Sequence, residues 1–263
     1  TAANWYRTVL GHLSRHEGAL LALAEIADAT GNKRELKDVL GQLAAVQEQP
    51  VLRLGHHLRR AEVLAELGEH PAAVAAARQA LELAPTALEH AQRLRLLLLK
   101  ENALPEAAQA LALTADLELA AGEEAQAVAT WFELYGIEQR AGSLVKAAAA
   151  LEQVLAHAPS HRAGYDAAKA LYEKTQQWPA WAAVVSKFIV QLTGAEQLAT
   201  LDELADVHRG PLRDTAGAFP WAQQALRLDP GSKPRREQVE KLGRALRKLD
   251  EVAVFYGELI EKL

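Results

Sequence analysis

The chain is 263 residues long, half of them hydrophobic and 24% charged, with a formal net charge of −5 and an isoelectric point near 6.0. That balance gives no general drive toward nucleic acid or an anionic membrane. There is no cysteine, so disulfides, Cys-based zinc sites and a thiol nucleophile are excluded, and the most apolar run, Leu94 to Leu99, falls far short of the ~20 residues of a membrane span.

Ala and Leu dominate the hydrophobic half, and aromatics make up only 5%. Ala and Leu are the strongest helix formers and β-branched residues are sparse, so the composition predicts helix nearly everywhere. Proline supplies punctuation. Pro50, Pro85, Pro159 and Pro230 are spaced by one, two and two periods of about 36 residues. Gly122 and Thr193-Gly194 fill the skipped positions, and Ser14 lies one period before Pro50.

In chain order, residues 3–13 carry Trp5, Val9, Leu10 and Leu13 on one face and read as the second helix of a pair whose first helix is missing. From Glu17, Leu20, Leu23, Ala24 and Ala27 recur at helical spacing. After a break at Gly31-Asn32, Leu36, Val39, Leu40 and Leu43 repeat the pattern. The clearest pair runs from about Leu52 to Leu67 and from Pro71 to Leu83, with a turn at Gly68-Glu69-His70-Pro71. Asn102, Gly142 and Gln177-Trp178-Pro179 mark the later mid-period breaks, and Gly210 to Gly217 reads as an insertion. At the far end Val252, Phe255, Tyr256, Leu259 and Leu263 form an apolar stripe. One pair cannot bury its own stripe, so pairs must stack. Ala72-Ala73, Ala75 to Ala77 and Ala147 to Ala150 allow close approach. The expected organisation is one solenoid over 1–263, with an orphan helix at 1–14 and repeats at 15–49, 50–86, 87–122, 123–159, 160–194, 195–231 and 232–263.

These residues resemble the tetratricopeptide repeat. Leu54, Ala61, Leu64, Gly68, Ala73, Ala80 and Pro85 stand at its matching places. So do Val128, Trp131, Leu134, Ala147, Leu151 and Pro159, and the segment from Leu20 to Leu40. His57 and Arg60 depart from the expected Trp and Leu, Tyr135 replaces a small residue, and 87–121 and 234–263 match in periodicity alone. The resemblance implies an all-α, right-handed α-α superhelix of about seven helix pairs plus an unpaired N-terminal helix. It also implies a non-catalytic scaffold that holds a peptide or protein segment in a concave groove lined by the first helices, in the service of a larger complex. In that register the groove residues are Arg59, Glu62, Glu66, Arg140, Tyr165, Lys169, Tyr172, Asp202 and Asp206, a mixed polar surface with two aromatic anchors. Members that grip a terminal carboxylate use a basic and Asn clamp. Leu58 and Glu62 occupy the matching places here, so that recognition is not expected. The competing reading is a ligand- or peptide-sensing regulatory module of a larger signalling protein.

No motif carries chemistry. His12 and His16 have metal-ligand spacing but straddle the break at Ser14, and His56 and His57 point about 100° apart on a helix. Glu62/Glu66 and Asp202/Asp206 read as solvated carboxylates, and no phosphate-binding loop or nucleophile turn is present. No cofactor and no metal is expected. Acidic residues interrupt the basic stretches Arg53–Arg60, Arg93–Lys100 and Lys233–Lys248, and the aromatics lie elsewhere, so nucleic acid is not an expected partner. Trp131, Trp178, Trp181 and Trp221 read as packing residues. The Ala/Leu/Arg-rich usage is of a bacterial kind, and compartment stays open between cytoplasm and periplasm. The unpaired start, the apolar end and the lack of an initial Met predict a segment of a longer protein, or one that self-associates through its terminal helices.

Overall fold

The structure is a computed structural model that describes residues 2–261. Leu263 of the apolar stripe lies outside them. The described residues are all-α. The helices are α1 (Ala2–His12), α2 (Glu17–Ala29), α3 (Lys33–Val46), α4 (Pro50–Glu66), α5 (His70–Glu82), α6 (Leu88–Lys100), α7 (Leu104–Ala120), α8 (Glu124–Arg140), α9 (Leu144–His157), α10 (Arg162–Lys174), α11 (Trp178–Phe188), α12 (Gly194–Arg209), α13 (Thr215–Leu228), α14 (Lys233–Leu246) and α15 (Leu249–Glu261). A 3-10 turn, Ile189–Gln191, follows α11. α1 stands before seven helix pairs, as the periodicity predicts. The chain forms two compact units, Thr1–Ala150 and Leu151–Leu263, and α9 begins in one and ends in the other.

One turn chemistry recurs within the pairs. The amides of Asn32, Glu69, Ala103, Ser143, Gln177 and Lys248 each donate to the carbonyl five residues back, at 2.8–3.1 Å. The residue before each has a left-handed backbone: Gly31 (φ 68), Gly68 (φ 75), Asn102 (φ 53), Gly142 (φ 76), Gln176 (φ 55) and Arg247 (φ 58). This is the Schellman stop, which satisfies carbonyls that the helix end leaves without partners. Proline in the first helical turn then favours entry into α4, α5, α7, α11 and α14.

The α12–α13 turn differs by one residue. Asp214 donates to His208, six residues back, and Arg213 holds the left-handed position (φ 52). The expected insertion of Gly210 to Gly217 is thereby shortened. Thr215, Ala216 and Gly217 already belong to α13, where the Asp214 carboxylate accepts from the Gly217 amide at 2.9 Å. That capping bond, and then the His208 ring, holds the Asp214 carboxyl below the usual carboxylate range.

In the first unit each helix packs on its successor from α1 to α8, and α4 also meets α6 while α5 meets α7. In these two pairs, first helix thus stacks on first helix and second on second. Much of their core is aliphatic: Leu54, Leu58, Ala61, Leu64, Ala73, Ala76, Ala77, Ala80, Leu94 and Leu98 form one buried cluster, and Trp131 of α8 is the buried aromatic of this unit. In the second unit the helices again pack in succession from α10 to α15. Here Phe219 and Phe255 join Ala205, Leu226, Val239 and Leu242, and Tyr165, Trp181 and Phe188 are buried between α10 and α11. Trp5 and Leu13 of the first helical segment are largely exposed, as are Val254 and Ile260 of α15. Among the described residues no helix is long and apolar enough to cross a membrane.

Candidate binding surface on the first helices

The surface of the first helices is a ladder of ion pairs with rungs one repeat apart. In the first unit, Asp28 of α2 accepts from Arg59 of α4 at 2.7 Å. Arg59 also reaches Glu62 on its own helix at 3.4 Å, and Glu62 takes a two-pronged contact from Arg93 of α6, at 2.9 Å on each arm. Glu66 pairs with Lys33 at the start of α3, 3.0 Å away. Arg95 of α6 continues the series to Glu133 of α8 at 2.5 Å and to the Thr130 hydroxyl at 3.2 Å. Thr130 in turn donates to Glu118 of α7 at 2.7 Å. Glu118 is 3% exposed, so it needs this network to stay buried. Arg140, at the end of α8, is exposed and makes no ion pair.

The second unit repeats the device. Arg162 of α10 reaches Glu196 of α12 at 2.5 Å, and Lys169 pairs with Glu203 while lying 5.6 Å above the Trp181 ring. Asp202 of α12 receives Arg235 of α14 through two nitrogens, the closer at 2.6 Å, and Arg235 also holds Asp229 at 2.5 Å. Asp206 pairs with Arg209 one turn on, at 2.7 Å. Of the nine expected site residues, six are thus members of surface ion pairs. Asp202 and Asp206 share no cation, nor do Glu62 and Glu66.

The two tyrosines correct the expectation of aromatic anchors. Tyr165 and Tyr172 are each 2% exposed, and their rings are spent in packing. Tyr165 stacks on Phe188 with ring centres 4.0 Å apart and planes 6° from parallel. Tyr172 donates its hydroxyl to Glu152 at 3.0 Å. Burial pushes both phenols up to about 12. They lie seven apart on one face of α10, but it is the face turned to α11 and the end of α9. Tyr172 does line a cavity of about 360 Å³ with Glu152, Leu155, Pro159, Lys187 and Phe188. The residues that sequence reasoning missed are Arg95, Glu118 and Thr130. Spacing could have found Arg95 and Glu133, which are a repeat apart and opposite in charge. The burial of Glu118 had no sequence signal.

Among the described residues, no three of His, Asp and Glu come close enough to share a metal ion. His12 ends α1, while the His16 ring caps α2 by accepting from the Ala19 amide at 3.1 Å.

No family model and no curated protein matches this chain. Solved structures do. A tetratricopeptide repeat protein from Parabacteroides merdae is 9% identical, with 93% of this chain and 92% of that one aligned at a TM-score of 0.36. PilF of Pseudomonas aeruginosa is 18% identical over 87% of this chain and 97% of its own, at 0.33. MamA is 13% identical over 66% of this chain and 91% of its own, at 0.34. Identities and scores this low carry no argument about what the chain binds. The architecture rests on its own helices, which among the described residues form seven helix–turn–helix units with a left-handed stop inside each turn.

Proposed function

We propose that this chain is a protein-interaction scaffold that holds a peptide or protein segment against the surface of its first helices, for the assembly of a larger complex. The observation that carries the reading is the Asp28–Arg59–Glu62–Arg93 ladder. Its charges alternate in sign and are partly exposed. Exposed pairs contribute only about 0–1 kcal/mol each, so a partner's side chains can exchange for them at small cost. The order of charges along the helices then sets which partner fits. Arg140, exposed and unpaired, is a contact of the same surface already open to a partner.

The test is capture by immobilised protein, scored for the Glu62→Lys/Glu66→Lys and Asp202→Lys/Asp206→Lys variants with helicity followed by circular dichroism. Loss of capture at unchanged helicity supports the reading; full capture by both variants overturns it. Tyrosine variants cannot serve, because removing a buried ring disturbs the fold itself. Self-association through α1 and α15 belongs to the same proposal, and its readout is molar mass by light scattering. A monomer at high concentration removes it.

A further inference from the structure

A second feature lies on the other side of α4. Arg53, His57 and Arg60 occupy positions i, i+4 and i+7, about 150° around the helix from Arg59, Glu62 and Glu66. Together with Gly41 of α3 and Gln79 and Glu82 of α5 they line a solvent-open cavity of about 430 Å³. Most arginines of the chain are paired. Arg53 and Arg60 are not, and among the described residues they are the unpaired arginines that are half-buried; the others are exposed. Their Nε atoms, and Nδ1 of His57, are shut off from solvent with no hydrogen-bond partner. Buried polar atoms are normally satisfied, yet Glu82, which lines the same cavity, forms no ion pair with either guanidinium. Gly41 makes the room: a methyl there would stand 3.2 Å from Cζ and Nε of Arg60.

We propose that this cavity is an oxyanion site, taking a phosphate or carboxylate group between the two guanidiniums and the His57 ring. A planar guanidinium fork donates to two oxygens of such a group at once. The site does not depend on the first-helix surface, so either can fail alone. Burial first, then the charges of Arg60, Arg53 and His56, hold the His57 imidazole below its ordinary 6.5, against the upward pull of Glu82. The α3 wall contributes Gly41, Ala44 and Ala45, none of which titrates. A bound anion reverses the balance and favours the charged ring. Affinity for an anion that does not itself titrate must therefore rise as pH falls.

The experiment is titration of the full chain with sulfate at constant ionic strength, followed by the His57 imidazole proton signals. Sulfate is expected to shift those signals and move the ring's titration to higher pH. Binding should weaken by about tenfold or more in Arg53→Gln/Arg60→Gln, and strengthen in Glu82→Gln, which removes the competing carboxylate. Unmoved signals, or an equal response in the double variant, overturn the proposal, and the opposite-signed Glu82→Gln effect separates binding from misfolding. Inorganic phosphate and a hexaglutamate peptide, used as competitors, assign the source. Displacement by phosphate alone marks a free ion, and displacement by the peptide marks an acidic side chain of a protein partner.

Discussion

In the first unit the left-handed residue of the turn within a pair is Gly31, Gly68, Asn102 or Gly142; in the second it is Gln176, Arg213 or Arg247. The hydrogen-bonded stop is nearly the same in both, but the first unit places residues there that tolerate positive φ and the second does not. The packing differs in parallel. Nine of the fourteen aromatic residues lie in 151–263, where Tyr165, Trp181, Phe188, Phe219 and Phe255 fill the core. The first unit relies on alanine, with Ala61, Ala73, Ala77 and Ala80 fully buried between helices. One repeat plan is thus reached by two routes: close approach with turns inside the pairs that tolerate positive φ, and bulky filling with turns inside the pairs that are strained. This comparison also explains why the sequence resemblance is clear around Gly68 and weak beyond Pro159.

The largest test of that difference is in the cores. Trp181→Ala should cost about 4 kcal/mol, because it leaves a cavity where the ring met α10. The matching failure in the first unit is the reverse substitution. Ala77→Leu adds bulk where helices already touch and should cost about 1–3 kcal/mol. Denaturant midpoints of the two variants check both values. A tolerated Ala77→Leu would show that close approach is not what holds the first unit.

The turns give the next effect. Gly68→Ala should destabilise by about 1–2 kcal/mol, since a Cβ is disfavoured at φ 75. Gln176→Gly and Arg247→Gly should act in the opposite sense. Each should stabilise by about 0.5–1 kcal/mol, the relief of strain outweighing the added freedom of the unfolded chain. Equal and negligible changes at all three positions would erase the distinction between the units.

Acid sensitivity between about pH 6.5 and pH 5 should belong to the first unit through His56 and His57, while that of depressed carboxylates such as Asp214 sets in lower. Burial is the leading cause that holds both rings below their ordinary 6.5. The unfolded chain therefore takes up protons first as pH falls, and stability drops once pH passes below about 6.5. It keeps dropping until the folded-state rings ionise. Thermal midpoints measured down to about pH 5 should show this decline, and His56→Gln/His57→Gln should flatten it.

Most of the fold was legible because its signals are local. Gly68, Pro71 and the apolar stripe of α4 and α5 together fix a helix, a stop and a second helix, and those boundaries fall within about two residues of expectation. Gly210 to Gly217 was harder. Asp214 caps α13 early, and a glycine three residues into a helix looks the same in sequence as one in a loop. The site was only partly legible. Helical spacing put Tyr165 and Tyr172 on one face correctly, but which face meets α11 depends on how α10 is rotated. Periodicity within a helix leaves that rotation undetermined when aromatic and charged stripes alternate around it. The pairing of Glu62 with Arg93, and of Asp202 with Arg235, is a relation between repeats, invisible to a reading confined to one helix.

Those two pairs supply the smallest expected effect. Glu62–Arg93 in the first unit and Asp202–Arg235 in the second have the same two-pronged geometry, and all four side chains are partly exposed. Whatever separates the units in turns and cores should therefore be absent here. Double-mutant cycles using Glu62→Gln with Arg93→Gln, and Asp202→Asn with Arg235→Gln, should each return a coupling of no more than about 1 kcal/mol at low salt. Both couplings should fade as the Debye length shrinks to ~3 Å in 1 M salt. Coupling well above that range in one unit alone would mean that its ladder locks the repeats together. A locked ladder could not exchange its charges for those of a partner, and the interaction surface would then have to be sought on the other unit.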